Sequence, residues 1–506
     1  MASLPISDMW NLNTYPRITG YLDDPANDTI QLKNFIQGQF VESEQISQWI
    51  HSFAPRSGKL LAIVPRSPSS VVEYAVNVAA AAFPAWSQTT AQHRSELLFR
   101  IASIMEQKRD LFTLWEHIDQ GKAIERAHIE VGRSIENFRH YANYILEHDT
   151  AAHVNRGLGV STLTYDHRMP VGVFAIITDW NMPLYLLTSK IAPCLAFGCT
   201  GVAKPSELTS VTAFLFGEVL RRADLPPGVM NIIFGDGPGT GSTLVTSPLV
   251  PGISFSGGVE AGIQIRENIA PDLSKRLAVE IKGSCPTIVF PDFNLDEAAA
   301  IAAFSAFENS GQLCFSGSRI YVHRSVYQGF LELLLTHVHN RYHPRAALGP
   351  VISLGHYSKI RSYLVEADEQ NATFATGTIP VEFPPEGFWI EPTVLTNVRH
   401  EGLMRREIFG PVATVYPFGN LEDVVHMCNA DRKANGALIL TNDLCLMAHV
   451  SKKLDAGIVW ASCWLGRDLG AGRADLRAAG TSGEGGSLGR EMFTRLRAVH
   501  FPFYYN

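Results

Sequence analysis

No uncharged apolar run in this chain reaches the roughly 18–20 residues that a membrane helix needs, so no spanning segment and no membrane partner is expected. The opening stretch, MASLPISDMWNLNTYPRITGYLDD, has neither a basic start nor a continuous apolar core, and no secretory leader is read in it. Cysteine is sparse. Seven residues (Cys194, Cys199, Cys285, Cys314, Cys428, Cys445 and Cys463) are scattered, odd in number and without a C-x-x-C. They give neither a disulfide framework nor a metal site, and they fit reduced thiols in a cytoplasmic protein. Positive charge is short as well: 42 Lys and Arg stand against 49 Asp and Glu, a formal net charge of −7. Such a surface repels phosphate backbones, and no block of basic residues overrides it, so nucleic acid is not an expected partner.

What the chain does have is length and apolar content. At 506 residues and 46% apolar it exceeds the roughly 250–300 residues at which one core stops growing, so two domains or more are expected. Residues 1–33 are polar and irregular and read as a loosely held N-terminal extension. NFIQGQF (34–40) reads as a short strand with a glycine turn. Ser70-Val71-Val72-Glu73 has the spacing of a capping box, ahead of a helical face of Val72, Ala75, Val76, Ala79 and Phe83. A second face follows in Leu97, Leu98, Ile101, Ile104 and Met105, and a third helix is expected over 125–147. From about 160 the texture changes. VGVFAIIT (171–178) is a continuous apolar run, as in a strand buried on both faces of a parallel sheet. An apolar stretch (184–197), a strand (200–204), a helix (208–223) and strands at 229–234 and 252–256 follow. This alternation predicts a doubly wound α/β sheet, and a second α/β segment runs from 286 to about 470. Residues 470–486, rich in Gly, Ala and Ser, read as a long flexible loop.

Chemistry concentrates in a few segments. Cys314 lies in NSGQLCFSGSR (309–319); a free cysteine is most often a small buried hydrophobe, but Gly311 permits close backbone approach and the neighbours are small or polar. Glu280 lies upstream, after a strand-like LAV. A buried carboxylate there could take a proton from a thiol or a water, although by itself it reads as an ordinary surface residue. Gly235, Gly237 and Gly241 in FGDGPGTG form G-x-G-x-x-x-G, one residue longer than the usual dinucleotide fingerprint. Lys204 and Glu207 in KPSE could meet phosphate and ribose, and ISFSGG (253–258) ends a strand on small residues that admit a pyrophosphate. Each loop alone is a weak signal. Three at the carboxyl ends of successive strands would line one crevice.

Taken in order, these segments resemble the aldehyde dehydrogenase superfamily from about 34 to 500. PVGVFAIITDWNMP (170–183), KPSE, the glycine loop, Phe255-Ser256-Gly257, Glu280, GQLC (311–314) and EIFGPV (407–412) carry the likeness. NFRHYA, PLYLLTSKIAP, KPSELTSVTA and CWLGRDL are similar to its muconic semialdehyde dehydrogenase branch. The resemblance implies an NAD-binding Rossmann-type domain (34–149 and 170–285), a catalytic α/β domain (286–480) and a small β element for oligomerisation (150–169 and 490–506), in a homodimer or homotetramer. It implies that Cys314 adds to the aldehyde, that the Asn181 amide and the Cys314 N–H hold the oxyanion, and that Glu280 activates the water that hydrolyses the thioester. It implies that Lys204 and Glu207 contact the adenosine ribose, Trp180 lines that groove, Ser256 and Gly257 sit by the nicotinamide and pyrophosphate, and Glu407 and Phe409 hold the nicotinamide ribose and ring. A carboxylate at Glu207 repels a 2′-phosphate, which favours NAD over NADP. No metal is implied.

For the substrate, Arg139 and Arg467 match arginines that look like carboxylate clamps, against the alternative of salt-bridged surface residues. Leu158, Tyr185, Phe315 and Trp464 are candidate apolar walls. The pattern is broken in places. Lys282 replaces a glycine after Glu280, Asp179 a proline, Gly258 a serine and Ser462 an asparagine. The family's Pro-Phe-Gly-Gly-x-Lys-x-Ser-Gly loop is not recognisable at 468–486, and a short deletion falls near 343–347. The expected activity is oxidation of an aldehyde, either a semialdehyde or a specialised aryl or polyketide aldehyde. Two rivals stand beside it: coenzyme A rather than water as acyl acceptor, and a binding or structural protein that has lost catalysis.

Overall fold

The apolar run at 171–178 becomes the strand Val173–Ile177, buried at every residue, because elements cover both of its faces. The computed structural model describes residues 9–10, 29–42, 48–147, 152–157, 160–281, 283, 285–342, 347–399, 407–430, 435–474 and 483–502. Val173–Ile177 lies inside a seven-stranded sheet whose spatial order is Arg276–Ile281, Gly252–Gly257, Val173–Ile177, Thr200–Lys204, Met230–Ile232, Asn34–Ile36, Gln39–Val41. The first five strands are parallel. The chain steps outward from Val173–Ile177 to Met230–Ile232, then returns to build the other side from Gly252–Gly257. That reversal opens a crevice at the carboxyl ends, where ligands bind open α/β sheets. The last two strands form an antiparallel hairpin through Gln37 and Gly38, both at positive φ (56° and 79°), as a two-residue hairpin turn requires.

A second seven-stranded sheet runs Thr373–Thr376, Thr393–Thr396, Val412–Phe418, Arg319–His323, Pro286–Val289, Gly436–Leu440, Ile458–Ala461. It is parallel except at Thr373–Thr376. A third, antiparallel sheet joins Thr494–Pro502, Val160–Pro170 and Ala152–Gly157. The helix Pro183–Ala196, buried along its whole length, packs against the helix Ile124–Tyr144 and carries the chain away from the crevice. Among the described residues no helix is long and apolar enough to cross a membrane.

Two sequence expectations are corrected. Ser70 is not the N-cap of a capping box: the helix Ser69–Ser87 starts two residues earlier than a cap at Ser70 would place it, with Pro68 at the cap and no side-chain cap bond. Pro68 supplies a preset extended entry, and Ser69 bonds across to Thr243 instead. Nor is the N-terminal segment loosely held where it is described. Met9, Trp10, Ile30 and Leu32 are all buried, and Ile30 pairs with Ala62 in a small sheet. Trp10 meets Phe112 edge-on at 6.4 Å and lies under the Arg222 guanidinium at 4.9 Å, contacts a linear reading of a polar segment does not reveal.

Candidate active site

The helix Leu295–Phe307 ends in a tight turn, Glu308–Gly311. Asn309, Ser310 and Gly311 all sit at positive φ (52°, 56° and 68°). Gly311 is obligatory, since a Cβ there would lie 2.0 Å from the Gly410 carbonyl oxygen. This turn delivers Cys314 to a buried position, 7% exposed. The thiol lies on a narrow inner cavity of about 20 Å³ shared with Asp179, Asn181, Met182, Leu186, Ser256, Gly257, Glu280 and Ile281. Cys314, Asn181 and Glu280 are thus brought together from three segments far apart in the chain.

Each of the three is held. Asn181 Nδ2 donates to the Gln312 carbonyl at 2.9 Å, which uses one of two amide hydrogens and leaves the other for an oxygen in the cavity. Glu280 is buried, and the parallel register sets it beside Ser256, whose Oγ donates to it at 2.8 Å. Lys190 Nζ lies 3.4 Å from the same carboxylate oxygen. Lys190 was not singled out from sequence, though a signal existed: it is the lone charge in PLYLLTSKIAPCLA, and a buried lysine must be paired. Asn435, also unanticipated, donates to the Ile281 and Cys314 carbonyls at 2.9 and 3.4 Å, tying the strand end to the nucleophile's backbone.

The loops expected to hold a dinucleotide line the carboxyl end of the first sheet, with unequal geometry. Lys204 is buried and donates to the Pro205 and Gly235 carbonyls at 2.9 and 2.8 Å. Its ammonium lies 3.5 Å from Glu207; burial lowers its pKa, and Glu207 opposes that. Of the three glycines only Gly235 is sterically forced, because a Cβ would meet Thr240 Oγ1 at 1.9 Å. Gly237 faces open space, and Gly241 has ordinary clearance from Lys204. The amides of Gly239 and Thr240 are taken by the Asp236 side chain. By contrast the helix Val259–Ile269, which follows Ser256 and Gly257, has no side-chain cap at Gly258, so its first N–H groups are open to an anion. Trp180 packs edge-on against Phe409 at 5.4 Å and His356 at 5.3 Å. Phe409 stands at φ 58°, a left-handed conformation costly for a bulky residue, and its carbonyl lies 2.7 Å from His356 Nε2. Glu407 is partly exposed two residues before it.

A wider outer cavity of about 290 Å³ shares Met182 with the inner one. Arg126, Arg133, Tyr185, Phe315, Trp460 and Arg467 are among its walls. The Arg467 guanidinium lies over the Tyr185 ring at 5.1 Å, and Arg133 donates to the Leu465 carbonyl at 3.2 Å. Burial pulls Arg133 down to about 10, and the neighbouring Arg126 and Arg467 cations push the same way against Glu130 and Glu308.

The expectation for Arg139 is corrected. It is bound to Glu106 at 3.0 Å and Glu136 at 2.6 Å and does not line this cavity. The reason is helical: six residues beyond Arg133 advance by about 240° around the axis, whereas seven from Arg126 to Arg133 return to nearly the same face. Tyr185 and Phe315 are walls, while Trp464 acts from behind by donating to the Phe315 carbonyl at 3.2 Å. Leu158 and Lys282 lie outside the described residues.

The other departures have local accounts. Asp179 accepts from the Trp180 N–H at 2.9 Å, stiffening a turn that lacks its proline. Ser462 stands at φ 53°, a conformation asparagine tolerates better, and is braced by its hydroxyl on the Thr441 carbonyl. The rebuilt loop is tied where it is described. Arg473–Ala474 pairs with Gly483–Glu484, Gly486 N–H donates to the Leu469 carbonyl, and Ala471, Gly472 and Gly485 face the outer cavity. The deletion near 343–347 falls on residues mostly outside the description.

Comparison with known proteins agrees with this fold. The aldehyde dehydrogenase family profile matches residues 40–499. A 2-aminomuconic semialdehyde dehydrogenase of Bos taurus is 39% identical, over 93% of this chain and 98% of that protein. A 2-hydroxymuconic semialdehyde dehydrogenase of Pseudomonas sp. (strain CF600) is 34% identical, over 93% and 99%. Among solved structures, the NAD-dependent aldehyde dehydrogenase of Sinorhizobium meliloti superposes with a TM-score of 0.90 at 28% identity, over 95% of this chain and 97% of that one. An NAD+ complex of the Bacillus cereus aldehyde dehydrogenase superposes at 0.89 and 27%, over 97% and 99%. With the match running through almost the whole chain, this protein belongs to the aldehyde dehydrogenase family of aldehyde-oxidising oxidoreductases.

Proposed function

We propose that the chain oxidises a carboxylate-bearing aldehyde to the corresponding acid, with NAD as acceptor, through a thioester on Cys314. The observation that carries this reading is the pair of cavities meeting at Met182: a thiol, an amide donor and a carboxylate in one, three guanidinium groups in the other. In this reading the Cys314 sulfur adds to the aldehyde carbon. The Asn181 amide hydrogen not used by Gln312 then meets the oxyanion where charge develops, usually the largest single catalytic contribution. Bound nicotinamide supplies the hydride acceptor. Glu280 takes a proton from the water that attacks the resulting thioester, releasing the acid and restoring the thiol.

The residues present fit a dinucleotide. Lys204 and Glu207 converge on the glycine turn, and the uncapped helix after Gly258 offers N–H groups to a pyrophosphate. Glu207 disfavours a 2′-phosphate. The muconic semialdehydes after which the relatives are named carry a carboxylate that Arg133 and Arg467 would bind. Retention of a buried Glu280 argues for water over coenzyme A. On the two outer strands of the third sheet, Leu496, Phe501 and Val154 are exposed, and association with another copy, as dimer or tetramer, would cover these strands.

The test is NADH formation from a panel of acidic semialdehydes, aliphatic aldehydes and aromatic aldehydes, with Cys314→Ala as control. Turnover fastest on the acidic members and lost in the variant is expected. Preference for neutral aromatic aldehydes would overturn the carboxylate assignment, and folded protein that binds NAD yet turns over nothing would favour a non-catalytic role.

A further inference from the structure

Lys122 is fully buried, and it carries a charge that neither the nucleophile nor the cofactor loops use. Its placement follows from the sequence. The helix Arg109–Gln120 ends on Gly121 in the left-handed conformation, φ 86°. A Cβ on Gly121 would come within 3.0 Å of Pro350 and Pro55, so only glycine turns the chain there. The turn swings Lys122 into the interior, and its Nζ uses all three of its hydrogens. One goes to Glu116 at 3.2 Å, one to Glu130, and one to the backbone carbonyl of Asn181 at 3.3 Å.

That carbonyl is gripped a second time. Asn309 Nδ2, from the turn that carries Cys314, donates to it at 3.1 Å. Three residues on, the N–H of Leu184 donates to Glu116 at 3.1 Å, and Thr212 braces the same carboxylate oxygen at 2.7 Å. Glu130 gives its other oxygen to Arg126 at 2.8 Å, and Arg126 is a wall of the outer cavity. Glu130 is held below the usual carboxylate range because the two cations outweigh its burial. The backbone from the Asn181 carbonyl to Leu184 is therefore fixed by one buried ion cluster with Asn309, while the Asn181 side chain is fixed by Gln312.

We propose that Lys122 is a positioning residue for the oxyanion donor: through the Asn181 carbonyl it sets where the Asn181 amide stands relative to Cys314. An isolated buried lysine is expensive, and one whose third hydrogen ends on the backbone of the proposed oxyanion donor has a use for that cost. The inference rests on the reading of Asn181 as oxyanion donor, and the experiment separates the two.

Lys122→Met, Asn181→Ala and the double variant are compared in the holoenzyme by two readouts. One is the pre-steady-state burst of NADH. The other is alkylation of Cys314 by iodoacetamide, which needs an accessible thiol and no oxyanion stabilisation. Lys122→Met is expected to slow the burst by about tenfold to a hundredfold, to change alkylation by no more than about twofold, and to add nothing once Asn181 is alanine, as residues acting as one unit do. Burst and alkylation falling together, a multiplicative effect in the double variant, or an unchanged burst would each overturn the positioning role. A wild-type burst in Asn181→Ala would overturn the oxyanion reading itself, and the inference with it. Should Lys122→Met fail to fold, Asn309→Gly removes the second donor to the same carbonyl at a site whose φ of 52° glycine accepts. It is judged by the same pair of readouts.

Discussion

The two cavities that meet at Met182 are built on opposite principles. The inner one is small, and its groups are tied by buried hydrogen bonds from separate segments: Glu280 by Ser256 and Lys190, Asn181 by Gln312. The outer one is wide, walled by aromatic rings and guanidinium groups, and bordered by a loop tied through the pairing of Arg473–Ala474 with Gly483–Glu484. In the proposed reading, rigidity falls where reacting atoms must be placed, and long adaptable side chains where a substrate must be chosen. Substitutions inside should act on the rate of chemistry, and substitutions outside on which aldehyde is accepted.

The largest effect should come from Glu280→Gln. In the proposed mechanism the first NADH burst survives and steady turnover falls by about a hundredfold or more, because only deacylation needs the base. Equal loss of burst and steady state would assign Glu280 to the acylation half and weaken the division of labour. Next, Arg467→Leu or Arg133→Leu should lower kcat/KM for an acidic aldehyde by about tenfold to a hundredfold, the worth of one charged hydrogen bond. Neutral aldehydes should be little affected, and Arg139→Ala should match wild type on both. Parallel losses on acidic and neutral substrates would show that the outer arginines are structural.

A further effect is on stability, beside the buried cluster. Burial first, and the Arg56 cation second, lower His117 to about 4 from the ordinary 6.5. Between those values the unfolded chain binds a proton that the folded one refuses. Stability therefore rises with pH from about 4 to about 6.5 and is flat above, a span worth ~3 kcal/mol. Denaturant midpoints measured against pH should show that slope, and His117→Asn should flatten it.

Much of this was legible from residues in order. The apolar run at 171–178, the strand at 200–204 and the return at 252–256 mark a doubly wound sheet, and the observed strands start and end within a few residues of them. Cys314, Asn181 and Glu280 are named through the resemblance of the whole series of segments, since Glu280 alone reads as a surface residue and Asn181 has no signal of its own. The resemblance singles out Arg139 on the helix Ile124–Tyr144, whereas helical periodicity sets Arg126 and Arg133 on one face. Lys190 carries a weaker mark, a lone charge inside an apolar run, whereas Lys122, among Asp119, Gln120, Glu125 and Arg126, carries none. Asn435 and His356 carried none, since their partners lie 121 and 53 residues away.

The sequence by itself determined the local conformations: where backbone must turn left-handed at Gly121 and Gly311, which runs are apolar enough to be buried strands, and which side chains are able to add, donate or take a proton. Those are properties of a residue and its near neighbours, set by sterics, periodicity and chemical type. The tertiary structure alone decided which of them meet. Glu280 faces Ser256 because two parallel strands share a register, and Lys122 reaches Asn181 because the helix Pro183–Ala196 packs on Ile124–Tyr144. Contacts of that kind depend on how whole elements bury their apolar faces against one another, and no stretch of chain encodes them on its own.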